Sequence, residues 1–491
     1  MSDYKYGVYG SIGNDVAQNA SQAGRAAVYI GFAPVHLLPD YSSVVNKPVK
    51  ISNMSDAQKK LGFLPDSSRW EKFTLCEAIS AHFANKKGNV GPIYVINAQD
   101  PDVIKSASST KATLTFFNKK ATIASIYIIL KTFAIAGKAL GVDYTLDYDF
   151  NTETLTVTDI GETAMTTVEA SYTLIEGTSL EVDGGGEGLI IGENNELGNT
   201  TGIAAVKQVY QEHNVIPSYL AAPGFSHVPE VYNALVAAAQ NINGHWNAFV
   251  YADMNNSTAK TITKAKEWKQ NNGYTSGFSK VFWPMVKDGD TLYHLSTLAL
   301  VEQMRCDMQN DNVPFETCGN KSIPATGLYY KNTPGQKFDK SEANALTAAG
   351  ITTAVFWEGS WRIWGDSTAA YTYGGSHKAR EIFDVNMLML FHIANSFQKE
   401  WGTKIDDPMT LALRDTILNR EQAKLDVLVA KGALIGSPKV EFIETNNSTT
   451  DMMNGDFRWD ICATNTPPLK SATGVVCYTD AGFSAYFGGD N

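Results

Sequence analysis

The stretches AGITTAVFWEGSWRIWGDST (Ala349–Thr368), KIDDPMTLALRDTILNREQAKLDVLVAKGALIG (Lys404–Gly436) and DFRWDICATNTPPLKSATGVVCYTDAGFSAYF (Asp456–Phe487) decide how this chain is read. In the first, Ala354–Trp357 and Trp361–Trp364 form a tight aromatic strand pair joined by Glu358-Gly359-Ser360. A helical pattern follows from Lys378 to about Trp401, with Ile382, Val385, Met389, Ile393 and Phe397 on one apolar stripe. Asp407 followed by Pro408 predicts an N-cap and first helical residue, and Gly432 suits the stop. Three strands are predicted beyond it, Lys439–Ile443, Asp456–Cys462 and Gly474–Thr479. No cluster of catalytic residue types falls in this third of the chain.

Upstream, strands and helices alternate. Ala26–Ile30 and Val49–Ile51 read as strands, Asp56–Leu61 as a helix capped by Ser55, and Phe73–Asn85 as a longer helix leading into strand Ile93–Asn97. The pattern resumes near Asn199. Helices are predicted over Thr200–His213, Pro229–Asn241, Thr258–Asn271 and Ser296–Gln309, between strands Ser218–Ala221, Ala248–Tyr251, Lys280–Trp283 and Thr291–His294. Each helix is long enough to cross over a sheet, so a largely parallel arrangement is expected.

Residues 102–196 differ, being rich in Thr, Ile and Val, free of Pro and without an amphipathic helix. Tyr144, Leu146, Tyr148 and Phe150 alternate with Asp143, Thr145, Asp147 and Asp149, which predicts a half-buried strand with an acidic outer face. A turn through Asn151–Glu153 returns into Thr154–Thr158 as a hairpin. The fold class expected is an α/β core (mixed, largely parallel sheet with flanking helices), with an inserted β-rich domain and an α+β C-terminal domain. The domains are an N-terminal arm 1–24, core 25–100, insertion 101–196, core 197–370 and C-terminal domain 371–491. The arm is Gly-, Ser-, Asn- and Ala-rich; Tyr4, Tyr6 and Val8 alternate in it, as a frayed end or as a strand seeking a sheet edge.

The 491 residues suffice for two to four domains, and 44% hydrophobic content supports several cores. No apolar run reaches the ~20 residues of a spanning helix, since Ile126–Ala136 is broken by Lys131 and Thr132. No membrane insertion is expected. Without a secretory signature at the N-terminus, the chain reads as a soluble cytoplasmic product. Net charge is −11, from 51 acidic and 40 basic residues, and the basic residues cluster only as pairs such as Lys59-Lys60, Lys86-Lys87 and Lys119-Lys120. Direct nucleic-acid binding is disfavoured. Cys76, Cys306, Cys318, Cys462 and Cys477 are odd in number and widely spaced, which fits neither a disulfide framework nor a zinc knuckle.

Sites for chemistry fail on their spacing. After the run Gly184–Gly188 stand Leu189, Ile190 and Ile191 where a phosphate loop needs Lys and Ser or Thr, so a flexible connecting loop is expected. Gly224-Phe225-Ser226-His227-Val228 lacks the closing Gly of a nucleophile elbow. The eight histidines are scattered, His392 within a helix, and no metal spacing occurs. Asp143, Asp147 and Asp149 lack the turn-forming Gly of a calcium loop. Trp357, Trp361 and Trp364 read as a core or interface anchor before a sugar platform. No catalytic residue, cofactor or metal is assigned.

The order of the C-terminal stretches, with MSDYKYGV at the terminus and NKPVKISN (Asn46–Asn53) after the first strand, resembles contractile-tail sheath proteins of bacteriophages, most of all those of temperate myophages. It covers residues 1–100 and about 200–491. The resemblance implies a virion structural subunit, assembled in the host cytoplasm. Its copies stack as hexameric rings in a helix around a tail tube and contract to drive the tube through the host envelope. It implies tube, baseplate and tail terminator proteins as partners. It also implies strand exchange between neighbours: arms at Tyr4, Tyr6, Val8 and at Val475, Val476, Tyr478 (within 470–491), and acceptors near Phe457, Trp459 and Ile461. A C-terminal helix should touch the tube, through Arg414, Asp415, Arg420, Glu421 and Lys424, unless these form a solvated face. Sheaths of phage-derived bacteriocins or other injection systems fit equally. In other classes stand an α/β hydrolase or transferase built on Val215–Leu300, with a polar pocket at the carboxyl ends of its strands, and a cell-surface adhesin.

Overall fold

The structure is a computed structural model and describes residues 24–194, 199–330, 333–334 and 337–487. Strand β1 (Ala26–Gly31) and β2 (Pro48–Ile51) precede helices α1 (Met54–Leu61) and α2 (Thr74–Phe83) and strand β3 (Ile93–Asn97). Six strands follow without an α-helix between them: β4 (Thr110–Thr115), β5 (Lys120–Ala124), β6 (Ala134–Ile135), β7 (Tyr144–Asp149), β8 (Thr154–Asp159) and β9 (Thr167–Tyr172). Helices α3 (Gly186–Ile191) and α4 (Gln208–His213) lead to β10 (Pro217–Ala221), α5 (Pro229–Ala238), β11 (Phe249–Asp253), α6 (Ile262–Asn271) and β12 (Ser279–Phe282). Strands β13 (Met285–Asp288) and β14 (Thr291–Tyr293), helix α7 (Leu295–Gln309), then β15 (Ser322–Ile323), β16 (Gly327–Tyr330) and β17 (Thr333–Pro334) come next. Helix α8 (Lys340–Thr347) and strands β18 (Ile351–Trp357) and β19 (Ser360–Trp364) precede α9 (Asp384–Trp401) and α10 (Leu411–Ala430). The C-terminal part holds β20 (Leu434–Glu441), α11 (Thr449–Met453) and β21 (Asp460–Asn465).

One nine-stranded sheet carries the body, in the order β15-β19-β18-β12-β11-β10-β1-β3-β2. Its six inner strands from β18 to β3 pair in parallel, and the outer pairings are antiparallel. Parallel strands covered on both faces need continuous apolar runs. The sequence supplies them: AAVYIG, IYVIN and FVYAD are buried at every position. The largely parallel α/β sheet is therefore present. Between β3 and α3, β4-β9-β6 and β5-β8-β7 form two three-stranded antiparallel sheets, and Leu155, Val157 and Asp159 point inward along β8 while its other residues are half-buried.

Several elements depart from the sequence reading. Helix α1 is capped by Asn53, whose side chain accepts from Asp56 N at 2.9 Å, and not by Ser55. The Gly184–Gly188 run is no loose loop. Val182–Gly184 is a 3₁₀ turn, Gly185 takes φ 93°, and α3 starts at Gly186. A Cβ at Gly184 would lie 1.8 Å from the Thr178 carbonyl oxygen, so this turn requires glycine there. Helix α10 begins at Leu411, where Thr410 caps Leu413 N at 3.1 Å; Asp407 instead pairs with Lys404. A hydroxyl three residues nearer the apolar pattern wins the cap. The predicted helix Thr200–His213 opens as a 3₁₀ turn, Gly202–Lys207, before α4.

Candidate assembly surfaces

The carboxyl ends of the parallel strands are where an α/β enzyme would bind its ligand. Here they are filled by side chains. Phe32 meets Phe225 edge to face at 5.1 Å, and Asn97 accepts from Ala33 N at 2.9 Å. Ser226 Oγ accepts from Asp253 N at 2.9 Å, and Asp253 accepts from both the backbone and the hydroxyl of Ser296. Glu77 accepts from His294 N and from its Nδ1, each at 2.7 Å. Glu77, Ser226, Asp253 and Ser296 are all buried. Desolvation drives the His294 pKa down, but the Glu77 carboxylate outweighs it and leaves it raised to about 9. Ser226 thus caps a strand end and is buried.

Two cavities lie elsewhere, both against α9. One, about 700 Å³, is bounded by α9, α10 and the point where residue 24 meets the body. Arg25 stands in its wall, donating to Tyr219 OH at 3.1 Å and pairing with Asp307 at 2.9 Å. The second, about 460 Å³, is an apolar groove between the far face of α9 and β21, walled by Phe278, Met387, Leu390, Phe391 and Phe397 with Ile461 and Ala463.

The predicted strand-exchange residues separate into three groups. Tyr4, Tyr6 and Val8 lie outside the described residues. Phe457 and Trp459 precede β21, which starts at Asp460 rather than Asp456. The cause is Asn447, whose side chain donates to Arg458 O at 3.0 Å and accepts from Arg458 N at 2.7 Å, taking the groups a ladder would use. Trp459 packs on Phe442 and Phe397, with ring centroids 5.5 and 6.3 Å away, and Ile461 lies within β21. The segment Gly474–Thr479 is not a strand here. Val475, Val476 and Tyr478 are 82, 97 and 84% exposed, and among the described residues no neighbouring strand satisfies that backbone. A strand exists only against a partner, which sequence alternation cannot reveal.

β20 and β21 form a sheet of two strands, so among the described residues each has one unpaired edge. The apolar alternation of β21 is half used: Ile461 and Ala463 turn inward, and Cys462 and Thr464 are exposed.

The five residues predicted on the tube-facing helix do not share one surface. Arg414 and Asp415 pair with each other at 2.7 Å at the exposed start of α10. Arg420 and Lys424 both pair with Glu400 on α9, joining the two helices. Glu421 is buried and accepts from Trp401 Nε1 at 2.6 Å and from Lys424. It anchors α10 to α9 and does not stand at the surface. The tryptophan group divides too: Trp361 is buried, whereas Trp357 is 42% exposed beneath the Lys340 ammonium, 3.1 Å from its ring centre. Asp143 and Asp149 accept from nearby backbone N–H groups, and no group of metal-binding side chains assembles among the described residues.

Sequence reading missed one internal pair. Lys280 on β12 meets Asp384, the first residue of α9, at 2.6 Å with both side chains fully buried. Lys280 also donates to Gly365 O at 3.0 Å, and Thr317 donates to Asp384 at 2.8 Å. Burial pulls the ammonium's pKa down, and the facing carboxylate more than reverses this and keeps it charged. The available signal was a single charge inside each of two apolar runs, SKVFW and IFDVNMLML. No helix among the described residues is long and apolar enough to cross a membrane.

No protein-family model matches the chain. It is 25% identical over 461 residues to the tail sheath protein of Burkholderia phage BcepMu, covering 90% of each. The chain is a homologue of phage tail sheath proteins. A further relative, the tail sheath protein of Escherichia phage P2, is 24% identical over 289 residues, 58% of this chain and 69% of the relative. Among solved structures, the sheath complex of the PVC extracellular contractile injection system in its contracted state aligns with TM-score 0.55 at 13% identity, covering 98% of both chains. A chain of the anti-feeding prophage baseplate aligns with TM-score 0.54 at 14% identity, over 96% of this chain and 99% of that one. These two likenesses establish a sheath fold. The sheath homologues are structural proteins, and none of the surfaces above is attributed to catalysis.

Proposed function

We propose that the chain is the structural subunit of a contractile tail sheath, a virion component that polymerises around a tail tube. The observation that carries the reading is the pairing of an incomplete sheet with an unpartnered segment. β21 offers an unused edge beside an apolar groove, while Val475, Val476 and Tyr478 stand in solvent. Strand addition from a neighbouring copy satisfies both at once, with each backbone hydrogen bond worth a net ~0.5–1.5 kcal/mol and side-chain pockets setting register. A donor on one copy and an acceptor on the next make a head-to-tail contact, which propagates helically where it does not close. Hexameric stacked rings follow the family resemblance, as do residues 1–24 as a second arm and residues 101–196 as an outward insertion. The tube, baseplate and terminator partners follow it too, with assembly in the host cytoplasm.

Contraction requires two packings of the same rigid bodies joined by extended connections. The nine-stranded sheet, buried along its central strands, supplies such a body, and residues 466–480, without regular structure, supply such a connection. The energy resides in repacked interfaces, so no nucleotide site is invoked. For the tube contact, the exposed Arg414–Asp415 end of α10 is the better candidate, because Arg420 and Lys424 are engaged with Glu400.

A second reading within the class is the sheath of a bacteriocin or injection system, favoured by the solved structures it resembles in fold. Capsid and packaging genes beside the coding sequence would select the phage. Negative-stain electron microscopy of the concentrated full-length protein tests the class: hollow helical tubes are expected. Uniform small particles, even with tube protein added, would end the sheath reading.

A further inference from the structure

The acceptor face of β21 carries enough detail to fix a register. Ile461 and Ala463 turn into the apolar groove, and Cys462 between them faces solvent. The groove, about 460 Å³, runs along α9 beside the strand and is walled by Phe278, Met387, Leu390, Phe391 and Phe397. A strand laid along β21 would project alternate side chains into it.

The chain's own C-terminal segment has a matching pattern. In Val475-Val476-Cys477-Tyr478, two phases are possible. One buries Val475 and Cys477 and leaves Val476 and Tyr478 in water. The other buries Val476 and Tyr478, which removes more apolar surface and fills an aromatic-walled groove with an aromatic ring. The second phase turns Cys477 outward, onto the face occupied by Cys462. If Val476 and Tyr478 sit level with Ile461 and Ala463, the residue between each pair must be level as well. That holds for parallel and antiparallel addition alike.

We propose that Val476 and Tyr478 of a second copy fill the groove beside β21, and that this register sets Cys477 of that copy opposite Cys462. The proposal rests on the strand-exchange reading above and adds its register. It explains the distribution of thiols: Cys76, Cys306 and Cys318 are buried, whereas Cys462 and Cys477 are exposed. Facing side chains on neighbouring strands have Cβ atoms about 4.5–5.5 Å apart, close to the ~3.5–4.5 Å of a disulfide. The pair is therefore within reach of oxidation. Two thiols lose two protons and two electrons, a sulfur–sulfur bond forms, and an added diazene oxidant (diamide) is reduced to the hydrazine.

The test uses full-length protein concentrated to assemble, treated with diamide or a short bismaleimide, and run on non-reducing gels. Wild type should give a ladder of covalent oligomers. Cys462→Ala and Cys477→Ala should each remain monomeric when treated alone. An equimolar mixture of the two variants should give a covalent dimer and nothing larger, because each copy then holds one half of the pair. Tubes by microscopy without that dimer under either reagent would overturn the register and leave the sheath reading standing. A faster-migrating wild-type monomer, with no dimer from the mixture, would also overturn it by placing the segment in its own chain's groove. Absence of tubes and of dimer together would remove the strand-exchange reading as well.

Discussion

The nine-stranded sheet and the β20–β21 sheet obey the same hydrogen-bonding rules with opposite results. In the first, β1, β3 and β11 are buried at every position, and polar groups such as Lys280, Asp384 and Asn97 are buried with partners. In the second, no residue of β21 is fully buried and an edge is unpaired. Body and C-terminal sheet therefore differ in how far one chain covers them. The body's central strands are flanked on both sides; among the described residues the small sheet keeps an open edge.

The sharpest way to break this comparison is to damage the body's buried pair. Asp384→Ala strands the Lys280 ammonium in the interior and should cost about 3–5 kcal/mol in urea unfolding below the assembly concentration. A loss under ~1 kcal/mol would mean that the junction of β12 and α9 opens to water. Replacing both by apolar residues, Lys280→Met with Asp384→Leu, should recover most of the loss.

Acid should act on the body next. His36 Nδ1 accepts from Gln99 at 2.8 Å while Nε2 donates to Ile126 O at 2.7 Å. His82 is fixed likewise, donating from Nδ1 to Val90 O and accepting at Nε2 from Tyr29 OH, both at 2.8 Å. Burial lowers both pKa values to about 4, so each ring stays neutral in the folded chain. The unfolded rings take up protons near pH ~6.5. Stability should thus fall as pH drops from about 6.5 towards 4, by up to ~3 kcal/mol per histidine. Thermal melts that stay flat from pH 7 to 5 would contradict it.

His294 has the opposite sign. Its pKa is raised to about 9 beside Glu77, so its contribution is complete below about 6.5 and is lost as pH rises through 9. The melting temperature of His294→Gln should change less over that alkaline window than that of the wild type.

Effects on the C-terminal sheet should be smaller for folding and larger for assembly. Trp459→Ala removes a half-buried ring and should cost about 1–2 kcal/mol. Deleting residues 471–487 should change monomer stability by less than ~0.5 kcal/mol and abolish tubes. Deleting residues 1–20 should likewise leave the fold intact and stop polymerisation; normal tubes would remove that segment from the mechanism.

The difference between the regions also governs what was legible. Continuous apolar runs such as FVYAD identify a strand covered on both faces, whatever the rest of the chain does. Alternation in Gly474–Thr479 identifies only a strand's potential, because no partner strand meets it among the described residues. The late start of β21 was hidden for another reason: Asn447 captures Arg458 across eleven positions, and no local pattern marks it. Charges misled where one of them falls on a helix's buried stripe, here Ile417, Glu421, Leu425 and Leu428. Glu421 looked like surface on α10 and proved to be the partner of Trp401.

Arg25 bears on a different matter, the path of mechanical load. Residue 24 joins the body at β1, which is hydrogen-bonded to β10 on one side and β3 on the other, and Arg25 locks its first turn of chain to Asp307 on α7. A pull applied there acts along a central strand in shear, so ladders on both flanks must fail together. A pull at Asn465 acts on β21, which one ladder holds. The two points of attachment are thus unequal fastenings: one is riveted into the chassis, and the other yields first unless a neighbour's strand doubles its grip.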